Sequence, residues 1–238
     1  MKQRIWELDA LRGICILGMV LVHICFDLLM FGILEPTGTF YDIFYFLTQW
    51  GGVLFFLISG ICVTLGSHPV KRGFMVFGAG LVCTLVTAGM YYADMMDKSI
   101  IIYFGVLHCL GTCMLLWPLL KKLPVWSLGI LAIAIIALGF YFKELRVDTP
   151  LLVPLGLMPH IFSSSDYFPI LPNLGYFLMG TVLGLTLYRN KSTLFPRVNP
   201  RNPLIQFCNF FGKHSLPIYL LHQPLVYAVI YGYFLWRY

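Results

Sequence analysis

The sequence predicts an all-α integral membrane protein, a polytopic bundle of about seven transmembrane helices with a cytoplasmic N-terminus. Composition is the first reason. Hydrophobic residues make up 59% of the 238 positions and charged residues only 11%, whereas a soluble domain carries about 25% charged residues. The mean hydropathy of +0.83 points the same way. Because so few charges are available to face water, much of the surface must face lipid.

Apolar segments of spanning length are the second reason, since a helix needs about 20 apolar residues to cross the hydrocarbon core. The predicted spans are residues 11–33, 45–66, 73–93, 100–119, 125–143, 171–188 and 214–235. Residues 203–213 are short and mixed in character, which predicts an interfacial helix. The proline-rich connection 144–170 is predicted to be a packed lid or a re-entrant element. No length remains for a second domain, so residues 1–238 are interpreted as one transmembrane domain.

Basic residues give the orientation, because they concentrate in cytoplasmic segments. With the N-terminus inside, the inner segments contain Lys2, Arg4, Lys71, Arg72, Lys121, Lys122, Arg189, Lys191, Arg197, Arg201 and Lys213. The outer segments contain only Lys98, Lys143, Arg146 and Arg237, together with most of the acidic residues. The net charge of +6 therefore reflects topology, and we expect no nucleic-acid partner.

The seven cysteines lie in or beside apolar runs, and none forms a CxxC pair. This pattern predicts small buried hydrophobic side chains and neither a disulfide framework nor a zinc site. The GxxxG run from Gly180 to Gly184 lies in an apolar span and predicts close helix packing.

The first span carries an unusual polar stripe. Arg12 and His23 are separated by almost three helical turns, and Asp27 follows His23 by one turn, so all three lie on one face with Asp9. The helical rise puts Arg12 about 16 Å from His23 along the axis. Polar residues at membrane depth are costly, which makes this stripe a functional candidate facing the interior.

Two further histidines, His108 and His222, are predicted to reach the same depth as His23. Each is open to a second interpretation as a satisfied interhelical hydrogen bonder. A carboxylate next to an imidazole fixes its tautomer and favours a general base, which makes His23 with Asp27 the first catalytic candidate. Three histidines and an aspartate also leave a zinc site conceivable, but no ligand-spacing motif supports one, and we expect no metal.

Several motifs resemble the membrane acyltransferase superfamily. The Asp-Ala-Leu-Arg-Gly run at residues 9–13 followed by His23 is similar to its Arg-ten-residues-His pattern, and residues 55–60 are similar to its FFxxSG run. Residues 215–222 resemble its last-helix Y-x-x-H motif. Residues 105–111 and 166–175 are similar to a narrower group, the heparan-α-glucosaminide N-acetyltransferases and their bacterial relatives.

The resemblance implies transfer of an acyl group, usually acetyl, from cytoplasmic acyl-CoA to an amine or hydroxyl of an extracytoplasmic sugar or glycan. The short form implies a bacterial inner membrane. Under this interpretation His23, oriented by Asp27, is the base, and either His222 or the Tyr219 hydroxyl stabilises the oxyanion. The remaining candidates are His108 in the histidine cluster, Arg12, Lys71 and Arg72 for the coenzyme A phosphates, and Tyr219 and Asp166 for the acceptor.

A proton-coupled small-molecule transporter is the main alternative, because an Asp–His pair and further histidines at mid-membrane also suit a carrier. The absence of an inverted repeat and of paired broken helices argues against it. A non-catalytic scaffold would leave the polar stripe unexplained. The sequence leaves open the acceptor, the acyl length, direct transfer or an acyl-histidine intermediate, and whether the chain forms a homo-oligomer.

Overall fold

A computed structural model gives the structure of the protein and describes residues 4–35 and 37–237. Lys2 and the side chain of Arg237, two of the basic residues used for orientation, lie outside the described part. Within the described residues the chain is all-α and forms no β-strand, as predicted. The α-helices are α1 (Trp6–Met30), α2 (Gly38–Leu65), α3 (Pro69–Tyr92), α4 (Val106–Leu120), α5 (Val125–Glu144), α6 (Ile170–Thr186), α7 (Pro203–Lys213) and α8 (Ser215–Arg237).

Each of the predicted spans coincides with one of these helices. Four of them, α1, α2, α3 and α5, are long and apolar enough to cross a membrane, and α4 and α6 are shorter apolar helices. The last predicted span coincides with α8, which has 23 residues, although polar residues such as His222 and Gln223 lower its hydropathy. The chain is therefore an integral membrane protein, and residues 203–213 form the helix α7.

Several helix boundaries differ from the sequence prediction, and the second helix begins well before residue 45, at Gly38. The first helix begins earlier, at Trp6, because Glu7 and Asp9 suit the positive end of the helix dipole. The fourth begins later, at Val106, because residues Lys98–Ile100 form a separate 3-10 turn and Gly105 is extended at the N-cap. The later start places His108 in the first turn of α4.

The chain divides into two compact units. The first comprises Met1–Phe55 and Lys191–Tyr238, and the second comprises Phe56–Asn190. In the first unit α1 packs against both α7 and α8. A side chain on Gly13 would overlap the carbonyl of Cys208, and one on Gly212 would overlap the carbonyl of Asp9. These glycines allow the backbones of α1 and α7 to touch.

The second unit is also built on glycine contacts. In α6, a side chain on Gly180 would overlap the carbonyl of Leu57 in α2, and one on Gly184 would overlap Thr64. Gly175 faces the carbonyl of Ala132 in α5 in the same way. The close packing predicted from the GxxxG run is therefore confirmed, and α6 contacts helices on two sides.

We expect the Gly180→Ala variant to lose roughly 1–3 kcal/mol of stability, because the new methyl group meets backbone that cannot move aside. Gly129→Ala is the matched control: it lies in α5 with open space around it, and alanine favours a helix interior slightly. Thermal unfolding in detergent, followed by tryptophan fluorescence, measures both. Equal melting temperatures in the two variants would contradict the close contact.

The connection between α5 and α6 is tied to the segment that precedes α4. Ser164 Oγ donates to the carbonyl of Ile101 at 2.9 Å, and Ser165 Oγ donates to that of Ile100 at 2.6 Å. Phe168 N–H donates to the carbonyl of Phe104 at 3.0 Å. The packing predicted for this connection is therefore confirmed, while its action as a lid stays a prediction.

Candidate active site

The polar stripe of α1 lies along α8 in the first unit. Three contacts follow the two helices in parallel: Arg12 with Ser215, His23 with His222, and Asp27 with Gln223. The structure therefore brings together four of the predicted residues, Arg12, His23, Asp27 and His222. Tyr219 joins them, since its ring centroid lies 5.6 Å from that of His222.

Arg12 is held at the start of α8. Its Nη2 donates to Ser215 Oγ at 2.9 Å, and Ser215 is a buried residue at the first position of α8. A guanidinium carries five N–H donors, and this bond uses one of them. The N-terminus of a helix carries partial positive charge, so Arg12 and the first turn of α8 together favour an anion.

His222 has a tautomer that its surroundings fix. Its Nδ1 lies 2.6 Å from the carbonyl oxygen of Tyr219. A carbonyl only accepts hydrogen bonds, so Nδ1 carries the proton and Nε2 of the neutral ring presents a lone pair. His222 is 8% exposed, and Nε2 is buried with no hydrogen-bond partner in the described structure. A neutral imidazole whose Nε2 lone pair has no partner can act as a general base.

Asp27 has a different partner from the one predicted. Gln223 Nε2 donates to both carboxylate oxygens, at 3.1 and 3.2 Å, and among the described residues no hydrogen bond joins Asp27 to His23. Asp27 is only 3% exposed. The prediction that Asp27 orients His23 is therefore corrected. The amide of Gln223, a residue of α8, holds the carboxylate of Asp27 instead.

His23 instead contacts the other imidazole. The ring centroids of His23 and His222 lie 4.7 Å apart, with the planes tilted by 57°. Two imidazoles this close disfavour each other's protonation, because two positive charges would repel at this distance. The structure therefore places His23 in ring contact with His222, and its catalytic role stays a prediction.

Unpaired buried atoms mark this interface. Besides His222 Nε2, the amide oxygen of Gln223 is buried without a partner in the described structure. Leaving a buried polar atom unsatisfied costs about 1–3 kcal/mol, so each such atom calls for an explanation, such as a bound water or a ligand. The two atoms belong to consecutive residues, and both residues contact the same face of α1. Both are acceptors, so they suit a ligand that donates N–H or O–H groups.

His108 lies in the second unit with both ring nitrogens engaged. The backbone N–H of Gly105 donates to Nδ1 at 3.2 Å, and Nε2 lies 3.4 Å from Thr84 Oγ1. The ring stacks on Phe104 and meets the edge of Phe77. These contacts are those of a histidine that stabilises the start of α4, and its catalytic role stays a prediction.

Asp166 caps the same helix. Its Oδ2 accepts from the backbone N–H of Val106, the first residue of α4, at 3.0 Å. A side chain on Gly105 would overlap this carboxylate, which explains glycine there. A carboxylate at a helix N-terminus is favoured by the dipole. The predicted contact between Asp166 and the acceptor is not excluded by this cap and stays a prediction.

We expect Asp166→Ala to lower the stability by about 1 kcal/mol, the usual cost of removing an N-terminal cap. Asp148→Ala is the matched control, because it removes the same charge from the same connection at a position whose side chain is 99% exposed. Chemical unfolding in detergent compares the two. If Asp166→Ala is as stable as Asp148→Ala, the carboxylate is not needed as a cap.

The other predicted cationic residues lie in the first turn of α3, in the second unit. Lys71 is exposed and Arg72 is half-buried. That Lys71 and Arg72 bind the coenzyme A phosphates together with Arg12 therefore stays a prediction. Within the described residues, no group of three or more His, Cys, Asp or Glu side chains is placed to hold a metal ion.

Comparison with known families decides the relationship. The model of the family described as heparan-alpha-glucosaminide N-acetyltransferase, catalytic, matches residues 4–224. The chain belongs to this family. The match includes every predicted site residue, and it confirms the relationship inferred from the motifs. No curated protein and no solved structure matches the chain.

The chain is therefore a membrane acetyltransferase, and the polar stripe of α1 is a candidate for its active site. Sequence reasoning missed three polar residues of the first unit. Two of them contact the stripe from α8, and the third lies in α1 itself. Gln223 and Ser215 are polar residues in the last span beside predicted site residues. Glu7 is buried, and it accepts from the N–H of Leu194 at 2.8 Å. Their polarity within apolar segments was the available signal.

Proposed function

We propose that the protein transfers an acetyl group across the membrane, from cytoplasmic acetyl-CoA to an amine or hydroxyl of an extracytoplasmic sugar or glycan. One observation carries the proposal: within a chain of an acetyltransferase family, His222 holds a buried, unpartnered Nε2 whose tautomer is set by Tyr219. The resemblance of residues 166–175 to bacterial relatives of the family is the basis for proposing a bacterial inner membrane as its location.

Arg12 supports the binding of the donor. Its guanidinium and the first turn of α8 form a positively charged end of the stripe, which suits a phosphate of coenzyme A. The helical rise from Arg12 to His23 is about 16 Å, a distance that the pantetheine arm can span. The thioester would then reach the imidazole pair. Lys71 and Arg72 are proposed to assist at the cytoplasmic side.

The tautomer of His222 changes the roles expected from the sequence. A neutral His222 uses its N–H on the carbonyl of Tyr219, so it does not donate to an oxyanion from Nε2. We therefore assign the general base to His222 and the oxyanion donor to the Tyr219 hydroxyl. His23 takes the supporting role, in contact with the imidazole that becomes charged.

The transfer step then balances without a covalent enzyme intermediate. The acceptor nitrogen or oxygen attacks the thioester carbonyl carbon while Nε2 of His222 removes its proton. The tetrahedral oxyanion receives a hydrogen bond from Tyr219. The carbon–sulfur bond breaks, and His222 returns the proton to the coenzyme A thiolate. The products are the acetylated acceptor and free coenzyme A.

Gln223 and Asp27 are proposed to position the acceptor. The amide NH₂ of Gln223 is occupied by Asp27, so its oxygen is left as a hydrogen-bond acceptor. An incoming N–H or O–H group satisfies this oxygen while it approaches the base. The proposed contact of Asp166 with the acceptor and the proposed participation of His108 are separate from this step.

Acetyl transfer by the purified protein in nanodiscs tests the proposal. Radiolabelled acetyl-CoA is incubated with glucosamine or with N-acetylglucosamine, which lacks a free amine and keeps the hydroxyls. Labelled product with glucosamine alone supports transfer to an amine, and product with both supports transfer to a hydroxyl. A folded protein that labels neither sugar, and that does not bind acetyl-CoA, would refute the proposal.

A further inference from the structure

The segment that includes α7 carries positive charge with no acidic residue to offset it. Residues 191–213 contain four basic residues, and the sequence has no Asp or Glu after position 166. All four are exposed: Lys191, Arg197, Arg201 and Lys213. Among the described residues, none of them forms an ion pair with a carboxylate. This positively charged segment lies in the first unit, and the proposed mechanism does not use it.

One side of α7 is an apolar face that the protein leaves uncovered. Leu204, Phe207 and Phe210 are between 53% and 71% exposed, and their spacing of three residues places them in a row along the helix. Phe211 joins the row, because its ring centroid lies 4.8 Å from that of Phe207 and 5.6 Å from that of Phe210. A different side of α7 packs on α1 through Gly212. The uncovered face is therefore free to meet lipid.

Cations and apolar side chains also alternate in the segment that leads into α7. Phe195 and Val198 are exposed on either side of Arg197, and Arg201 follows. Apolar residues together with Lys and Arg are typical of protein surfaces at the membrane interface, where apolar side chains enter the acyl region and cations meet anionic headgroups. The orientation predicted from basic residues puts residues 191–213 at the cytoplasmic leaflet.

The combination of charges and aromatic rings selects one class of ligand. A soluble anion would pair with the cations but would leave Phe207 and Phe210 uncovered. A neutral or zwitterionic lipid would cover the two rings but offers no net negative charge to the four cations. A phospholipid with a net negative headgroup satisfies both, since its phosphate pairs with guanidinium groups while its acyl chains cover the apolar face.

We propose that residues 191–213 form a surface that binds anionic phospholipids selectively, with the two arginines at the headgroup and the phenylalanines of α7 among the acyl chains. The proposal goes beyond acetyl transfer and does not depend on it. α7 leads into α8 after a single residue, and α8 begins at Ser215, which holds Arg12. A lipid bound at this surface therefore stabilises the α7–α8 junction at the Arg12 end of the polar stripe.

Lipid titration of the intact protein tests the surface. Native mass spectrometry of the protein in detergent, titrated with phosphatidylglycerol or with phosphatidylcholine, gives an affinity for each lipid. We expect the wild type to prefer phosphatidylglycerol. The double variant Arg197→Gln/Arg201→Gln should lose about 25-fold in affinity for phosphatidylglycerol, roughly fivefold for each cation removed, and should keep its affinity for phosphatidylcholine.

Two further variants separate the parts of the surface. Lys121→Gln/Lys122→Gln is the matched control, because it removes the same charge from two exposed residues on the same predicted side of the membrane. It should bind phosphatidylglycerol as the wild type does. Phe210→Ser keeps every charge and removes one ring from the apolar face, so it should weaken the binding of both lipids. Since the changed residues are exposed, all variants should unfold at the wild-type temperature in detergent alone.

Three results would overturn the proposal. The first is equal affinity of the wild type for the two lipids. The second is an equal loss of phosphatidylglycerol affinity in Lys121→Gln/Lys122→Gln and in Arg197→Gln/Arg201→Gln, which would mean that general charge attracts the lipid. The third is displacement of phosphatidylglycerol by free glycerol phosphate at a comparable concentration, which would mean that the cations form a site for a soluble anion. Because none of these measurements involves acetyl transfer, the surface can fail while the proposed function stands, or the reverse.

Discussion

His222→Gln is expected to lower kcat for acetyl transfer by roughly 10²–10⁴-fold, the usual contribution of a positioned acid–base group. Glutamine keeps the polarity and much of the size of histidine, but it offers no basic nitrogen in place of Nε2. Acetyl-CoA affinity should stay unchanged, because the donor phosphates are proposed to bind at Arg12. Steady-state transfer to glucosamine and calorimetric binding of acetyl-CoA measure the two quantities.

The control for this prediction is His68→Gln. His68 is exposed at the N-cap of α3 and makes no capping hydrogen bond through its side chain, so its replacement should leave kcat as in the wild type. His23→Gln provides the decisive comparison. If His23→Gln abolishes transfer and His222→Gln retains the wild-type kcat, the base is His23, as the sequence alone indicated, and the argument from the tautomer of His222 is wrong.

Arg12→Ala is expected to weaken acetyl-CoA binding by about 10- to 150-fold, because a hydrogen bond to a charged group contributes about 1.5–3 kcal/mol. The guanidinium is oriented by Ser215 at the start of α8, so its remaining donors can face a phosphate. Arg12→Lys should recover part of the affinity, since lysine restores the charge and not the planar fork of donors. Isothermal calorimetry on the detergent-solubilised protein gives the three dissociation constants.

Arg4→Ala is the matched control for Arg12→Ala. Arg4 lies near the same end of α1, and its side chain is 70% exposed with a long contact of 3.8 Å to Asp9. Arg4→Ala changes the net charge by the same amount as Arg12→Ala. The ion pair that it removes is exposed and contributes little to stability. A similar loss of acetyl-CoA affinity in both variants would mean that general charge, and not a phosphate site at Arg12, attracts the donor.

The helices could be predicted from the sequence because lipid imposes a simple requirement. A spanning segment must satisfy all its backbone hydrogen bonds internally and must be apolar over about 20 residues. Runs such as 125–143 show this directly, and α5 is Val125–Glu144. The start of α4 was missed because it depends on a cap, Asp166, that comes from a distant part of the chain.

Only the residues that α1 contributes to the site could be predicted as a group from the sequence. Helical periodicity placed Arg12, His23 and Asp27 on one face of α1, and the structure agrees. Which residues of α8 meet them depends on how α1 and α8 are aligned, and that alignment is not encoded in the periodicity of either helix. The partner of Asp27 is therefore Gln223 and not His23, and helical periodicity could not choose between them.

His108 and His222 show the same limit. Both were predicted to lie at the same depth, and each has a fixed tautomer in the structure. The tautomers are opposite: Nδ1 of His108 accepts from Gly105, whereas Nδ1 of His222 donates to Tyr219. Neighbouring backbone groups decide between them, and those groups are known only once the helix boundaries are known.

Sided acetyl transfer tests the central claim most directly. The protein is reconstituted in proteoliposomes of known orientation, with radiolabelled acetyl-CoA and glucosamine on opposite sides of the membrane. We predict labelled N-acetylglucosamine when the donor is on the side of the N-terminus, and none when the two substrates are exchanged. Product formed only when both substrates share one side, or no product together with solute uptake driven by a proton gradient, would contradict transmembrane acetyl transfer.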